Sequence, residues 1–156
     1  FQEASLSDVA ARAVDIYRHQ ASREGVELAF EVEQPAALCW MDPRSVELAV
    51  MNLIDNALKY AKAGGKVTVQ VGADGGFGLI SVTDSGPGIP LEEQRRIFER
   101  FFRGAGAQVA ATRGSGIGLS LVSTIAEAHR GKVSVTSPVA NDKGARFSLF
   151  VPRAKG

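Results

Sequence analysis

The chain is nearly free of cysteine. Cys39 stands alone in 156 residues, which excludes an internal disulfide framework and fits a reducing compartment. Set between Leu38 and Trp40, it reads as a packed side chain rather than a reactive thiol. Net charge is scarce as well: 18 Lys and Arg against 17 Asp and Glu leave +1, no footprint for a nucleic-acid partner. No apolar run approaches the roughly 20 residues that cross a bilayer, and no secretory leader opens the chain. Repeats are absent, and no linker is long enough to divide it. What remains, at 45% apolar residues, is one soluble globular domain over residues 1–156 with room for a hydrophobic core.

The periodicities place the elements. A first helix is expected from about Ser7 to Arg23, capped by Ser5 or Ser7 and followed by the stop signal Gly25. Val26, Leu28, Phe30 and Val32 alternate with Glu27, Glu31 and Glu33 as a half-buried strand that Pro35 ends. A short apolar piece, Ala37 to Met41, leads to Asp42-Pro43, an N-cap with proline at the first helical position, and a second helix running to about Lys62. Val67, Val69 and Val71 form one arm of a hairpin, Asp74-Gly75-Gly76 turn it, and Leu79 to Thr83 return. Leu91 to Phe102 reads as a short helix rich in charge and phenylalanine, and Gly104 to Gly114 as a mobile loop of small residues. A third long helix is expected from about Ile117 to His129, closed by Gly131, then strands Lys132 to Ser137 and Ala145 to Val151. This order predicts an α+β two-layer sandwich: a mixed, mostly antiparallel sheet of about five strands covered on one face by three helices.

Three motifs carry the chemistry. In the second helix, Asn52, Asn56 and Lys59 lie at i, i+4 and i+7, within about 60° of one another and away from the apolar side formed by Val46, Val50, Leu53, Ala57 and Ala61. Two neutral oxygen donors and an ammonium on one stripe suit a magnesium–phosphate complex, although a solvated helix face has the same look. Asp84-Ser85-Gly86-Pro87-Gly88-Ile89-Pro90 ends a strand in a carboxylate and turns through glycines. That carboxylate can accept the exocyclic amine of adenine while the glycines admit the base closely; the same run is also a plain turn. Gly114-Ser115-Gly116-Ile117-Gly118-Leu119 opens the third helix, where backbone N–H groups attract phosphate oxygens. It is neither a P-loop nor a spaced dinucleotide fingerprint. The loop before it, flanked by Arg103 and Arg113, looks like a lid over a charged ligand.

With these motifs in order, the sequence resembles the catalytic ATP-binding domain of bacterial sensor histidine kinases, in the GHKL ATPase superfamily. Asn52 to Tyr60 matches the family's N box, Asp84 to Pro90 its G1 box, Ile97 to Arg103 its F box and Gly114 to Leu121 its G2 box. The resemblance runs through the closing Gly144-Ala145-Arg146-Phe147 strand and so covers essentially the whole chain. It implies that Asn56 coordinates Mg²⁺, that Asn52 binds the metal or a phosphate oxygen, and that Lys59 contacts phosphate. Tyr60 is implied near the ribose or adenine, Asp84 on the adenine amine, and Gly86, Gly88 and Ile89 along the base. Arg103 is implied to reach the γ-phosphate on lid closure, and the Gly114–Leu119 backbone to hold the phosphates. The implied cofactors are ATP and Mg²⁺. The implied partners are the parent's own histidine-bearing dimerisation domain and a downstream response regulator, with this domain monomeric and cytoplasmic and the parent homodimeric. Phe1 is not a natural start, which leaves room for a parent anchored in the inner membrane.

Two departures bear on function. Hydrolytic relatives carry glutamate at the position of Asn52; an asparagine cannot serve as that base, which favours transfer over hydrolysis. Arg130 stands where the family often has glycine after His129, at a helix end expected to carry no functional consequence. The two histidines are both poor phosphoacceptors: His129 lies on the apolar side of the third helix, and His19 lacks the acidic neighbour and following proline of the acceptor motif. The phosphoacceptor domain is therefore expected to lie outside this chain. Competing readings are a pure ATP-gated binding module and another superfamily enzyme, a serine-directed anti-sigma kinase or a hydrolytic ATPase.

Overall fold

The computed structural model describes residues 1–33, 38–61, 64–99, 118–139 and 143–154. Strand β1 (Gln2–Ser5) runs into helix α1 (Leu6–Arg23), followed by β2 (Glu27–Val32), β3 (Leu38–Met41) and α2 (Pro43–Ala61). The hairpin β4 (Lys66–Asp74) and β5 (Phe77–Asp84) comes next, then the one-turn helix α3 (Leu91–Gln94), α4 (Gly118–Ala128), β6 (Lys132–Thr136) and β7 (Ala145–Pro152). The main sheet has the order β2-β4-β5-β7-β6, with β2 parallel to β4 and every other pair antiparallel. The two-layer sandwich expected from the periodicities is the fold observed.

Register explains where the core sits. Val71, Ile80 and Leu149 form one cross-strand row, Val69, Val82 and Phe147 the next, and Val67, Asp84 and Ala145 the third, all buried. Because side chains alternate between faces, the intervening positions carry polar groups: Arg146 Nε donates to Thr83 Oγ1 at 3.1 Å, and the Ser81 and Ser148 hydroxyls meet at 3.4 Å. The helices cover the apolar face. Helix α1 buries Leu6, Val9, Ala10, Ala13 and Val14 and is capped by Ser5, whose Oγ accepts from the Asp8 N–H. Helix α2 packs against α1 and α4 and also meets β4 and β5. It buries Ala49, Ile54 and Leu58 in addition to the five residues anticipated, because it is enclosed on more sides than a surface helix. No described helix is long and apolar enough to cross a membrane.

Two elements differ from expectation. Strand β1 pairs with β3 in a separate two-stranded sheet that the sequence did not reveal. Across from it, Leu38 and Trp40 face outward while Cys39 and Met41 are fully buried, and the Cys39 Sγ lies 3.6 Å from the Val151 carbonyl oxygen. Burial pushes the Cys39 thiol upward, the state of a packed side chain. Of the helix expected over Leu91 to Phe102, residues 91–99 are described, and they hold a single turn, Leu91–Gln94. Its start at Pro90 has no side-chain cap, and the chain continues through i→i−3 bonds, Arg96 N–H to Glu93 and Glu99 N–H to Arg96.

His129 serves the fold. Its Nε2 accepts the Asp42 N–H at 3.1 Å, which leaves Nδ1 as the proton-bearing nitrogen that donates to the Ile125 carbonyl at 2.8 Å. The buried ring thus ties the end of α4 to the start of α2. Just beyond it, α4 closes in a Schellman arrangement, with Gly131 N–H on the Ala126 carbonyl and Arg130 N–H on that of Glu127. This geometry puts Arg130 at φ 59°, the left-handed region that costs a side chain about 1 kcal/mol. Arg130→Gly is therefore expected to raise unfolding free energy by about 0.5–1 kcal/mol, read from urea denaturation at unchanged m value.

Candidate functional site

Asp84 is the inward-facing residue that follows Ile80 and Val82 along β5, at a position where the sheet elsewhere places aliphatic side chains. It is only 3% exposed. Its Oδ1 accepts the Gly86 N–H at 2.8 Å, while Oδ2 is buried with no hydrogen-bond partner among the described residues. Burial pushes the carboxyl up to about 6 from the ordinary 3.8, against the opposing pull of the Gly86 and Ala145 N–H groups. A buried carboxylate oxygen without a donor is rare in native structures and leaves Asp84 with an acceptor to offer.

The glycine turn is fitted to the helix layer by close backbone approach. A Cβ on Gly86 would stand 2.5 Å from the Tyr60 carbonyl oxygen, so only glycine lets the turn seat against the end of α2. Gly88 holds φ +91°, and a Cβ there would come 3.0 Å from Ser137 Oγ. Ile89 packs against the core as a half-buried side chain.

The stripe on α2 meets the start of α4. Asn52 Nδ2 donates to the Leu48 carbonyl at 2.9 Å, which orients its amide, and a Cβ on Gly118 would lie 3.1 Å from Asn52 Oδ1. Leu119 is half-buried against the core beside it. Asn56 Nδ2 is buried without a partner among the described residues. Rotating that amide by 180° would present its oxygen instead, so the residue can offer either a donor to phosphate or an oxygen to a metal. Lys59 and Tyr60 follow in the last turn of α2, both half-buried. Among the described residues no group of three or more His, Cys, Asp or Glu could hold a metal ion. The Asn52 and Asn56 amides carry neutral oxygens, the donor type that Mg²⁺ accepts when phosphate and water oxygens complete its shell.

The structure thus sets Asn52, Asn56, Lys59 and Tyr60 along α2, with the start of α4, Gly118 and Leu119, against Asn52, and the turn after β5, Asp84, Gly86, Gly88 and Ile89, against the Tyr60 end. Arg103, Gly114, Ser115, Gly116 and Ile117, with the end of the F box and the expected lid, lie outside the described residues. Reasoning from sequence missed Ser137 and Gln94, which bond to the glycine turn. Ser137 reads as the end of a strand and Gln94 as one polar residue of a charged helix, so neither carries a mark of its own.

Fold and site together define a two-layer ATPase-type domain of the GHKL class. A family model described as histidine kinase-, DNA gyrase B-, and HSP90-like ATPase matches residues 41–155. The chain belongs to that family. Sensor histidine kinase Hik2 of Thermosynechococcus vestitus is 32% identical over 147 residues, 94% of this chain and 38% of Hik2. Among solved structures, a mycobacterial sensor histidine kinase MprB superposes at a TM-score of 0.87 with 31% identity, covering 99% of this chain and 100% of that one. Full-length ShkA in complex with AMPPNP gives 0.82 and 29%, covering 99% of this chain and 32% of ShkA. The chain spans only about a third of the length of the curated relatives it matches, 38% and 33% for the first two.

The Asp84 environment generates a pH test. Below 3.8 the carboxyl is protonated whether the chain is folded or not. Between 3.8 and about 6 the unfolded chain ionises first, so stability falls as pH rises; above about 6 the full penalty is present. A shift of that size corresponds to roughly 2–3 kcal/mol. Asp84→Asn keeps an acceptor for the Gly86 N–H and removes the charge. The ligand-free variant should be more stable than the parent by about 2 kcal/mol at pH 8, with the difference vanishing near pH 4 in parallel urea titrations.

Proposed function

We propose that this domain binds Mg-ATP and donates the γ-phosphoryl group to a histidine on a separate dimerisation domain of its parent kinase. The observation that carries the reading is the unpartnered, buried oxygen of Asp84 at the head of a glycine turn. An acceptor so placed selects adenine, whose exocyclic amine donates, over guanine, whose carbonyl at the same place would face a second acceptor. Family membership and the resemblance to kinases named as sensor histidine kinases support the same assignment.

Each residue then has a task. Asp84 holds the base, Gly86 and Gly88 let the backbone approach it without side chains in the way, and Ile89 lines it with an apolar side chain. Asn56 and Asn52 supply amide groups to Mg²⁺ and phosphate oxygens, and Lys59 balances phosphate charge. The start of α4, at Gly118 and Leu119, extends the phosphate cradle begun by Gly114, Ser115, Gly116 and Ile117, and Arg103 reaches the γ-phosphate. A bound Mg²⁺ would neutralise charge across the phosphates. Asn52 is neutral and its Nδ2 is committed to the Leu48 carbonyl, so it orients groups rather than accepting a proton from water. The γ-phosphoryl group therefore passes to a ring nitrogen of the partner domain's imidazole: the P–N bond forms as the P–O bond to ADP breaks, ADP leaves, and the ring's proton is lost to solvent. That domain and a response regulator are the partners, the parent is a homodimer, and this domain works in the cytoplasm under a membrane-anchored sensor.

The test mixes the chain with Mg-ATP and the histidine-bearing dimerisation domain of the same parent, then assays acid-labile phosphate on that domain. Label on the histidine supports transfer; tight ATP binding with no transfer in any pairing would refute it. Asp84→Asn should weaken adenine-nucleotide affinity by about tenfold to a hundredfold in calorimetric titration, and unchanged affinity would remove the base assignment.

A further inference from the structure

The glycine turn between β5 and α3 is gripped from outside the four recognised motifs. Ser137, just past the end of β6, places its hydroxyl at the turn. It accepts the Ile89 N–H at 2.8 Å and donates its one hydrogen to the Gly144 carbonyl at 2.7 Å. The Gln94 amide donates to the Ile89 carbonyl at 2.9 Å and to the Ser137 carbonyl at 3.1 Å. Both polar groups of the Ile89 backbone are thus held by side chains that belong to neither the turn nor the sheet.

The grip extends to Asp84. Gly144 N–H donates to the Gly86 carbonyl at 2.7 Å, and a Cβ on Gly144 would stand 2.7 Å from the Asp84 carbonyl oxygen. Gly86 is the residue whose N–H fixes Asp84 Oδ1. Ser137 therefore connects two points of one short loop, Ile89 directly and Gly86 through Gly144. With Oδ1 fixed, the direction of Oδ2 is fixed too.

We propose that Ser137, together with Gln94, is a positioning residue for nucleotide binding: it clamps Ile89 and Gly144 so that the glycine turn and the Asp84 carboxylate stand at the spacing a purine base requires. The proposal rests on the reading of Asp84 as the base acceptor. It differs from a packing role in what it predicts, because a clamp at the base end alters every adenine ligand alike and leaves the phosphate contribution untouched.

The experiment titrates the 156-residue chain, Ser137→Ala, Ser137→Thr and Asp84→Asn with adenosine, ADP and ATP plus Mg²⁺, well below the melting transition. Ser137→Ala should weaken all three ligands by a common factor of about ten, the worth of one ordering hydrogen bond, so that the ratio of ATP to adenosine affinity stays constant. Ser137→Thr, which keeps the hydroxyl, should recover affinity to within about threefold. If Ser137→Ala fails to fold, Gln94→Ala, which removes the other half of the Ile89 clamp, should show the same uniform loss. Adenosine affinity unchanged in the serine and glutamine variants, with Asp84→Asn impaired, would overturn the clamp and leave the base assignment standing. A loss confined to ATP would also overturn it. Unchanged affinity in Asp84→Asn would bring down the base assignment and the clamp with it.

Discussion

The structure turns on one carboxylate in an aliphatic position. Alternation along β5 sends Ile80 and Val82 into the core, and the next inward residue is Asp84. Its neighbours in the row are Val67 on one side and Ala145 on the other. A hydrophobic side chain there would add roughly 1.5–3 kcal/mol of burial; Asp84 instead carries a desolvation penalty and one unpaired oxygen. The penalty is tolerated because the rows beyond it are filled by Phe147, Leu149, Ile80 and valines, all essentially fully buried. A strong core thus underwrites a weak spot at its edge, and a ligand donor that meets Oδ2 recovers part of what the apo domain gives up.

Glycines make the remaining motifs converge, through the space they leave. Gly86 lets the turn lie on the Tyr60 carbonyl, Gly144 lets the return loop pass over the Asp84 carbonyl, and Gly118 brings the start of α4 to Asn52. Each contact joins segments far apart in sequence; a methyl group would clash with backbone at Gly86 and Gly144 and would crowd the Asn52 side chain at Gly118. Glycine alone does not mark a site, however. Gly131, against the Phe150 carbonyl, has a close approach that serves packing at the end of α4. What separates the two classes is company: the site glycines stand beside Asp84, Tyr60, Asn52 or Ser137.

Much of this was legible in the sequence, and the reasons are physical. The helices α1, α2 and α4 and the strands β2, β4, β5, β6 and β7 have periodicities set by burial on one face, so their residues report it. Strand β1 is four residues long with no alternation, and it exists because β3 is there to pair with. The stretch after Pro90 has helical composition but lacks a cap, and its phenylalanine packs edge-on to Phe147 at 5.9 Å, a tertiary contact that competes with helix continuation. At the site, the motif residues stand in short runs and can be read together. Ser137 and Gln94 meet Ile89 across a fold, and single residues of that kind leave no pattern to find.

The same geometry explains why a hydrolase is a poor reading of this chain. For water to attack phosphate, a group beside it must take a proton, and the stripe on α2 offers amides and an ammonium. Asn52 has the position but not the chemistry: its nitrogen is bonded to Leu48 one turn back, and its oxygen faces the Gly118 backbone. An amide oxygen is a weak acceptor of protons and a good one of hydrogen bonds, so it orders a ligand without activating water. Asp84 is an acceptor of protons near neutral pH, yet it belongs to the base end, where a glycine turn and α2 separate it from that task. On the proposed reading such a site borrows its nucleophile, and an imidazole, which is nucleophilic without prior deprotonation at neutral pH, is the side chain that needs least help.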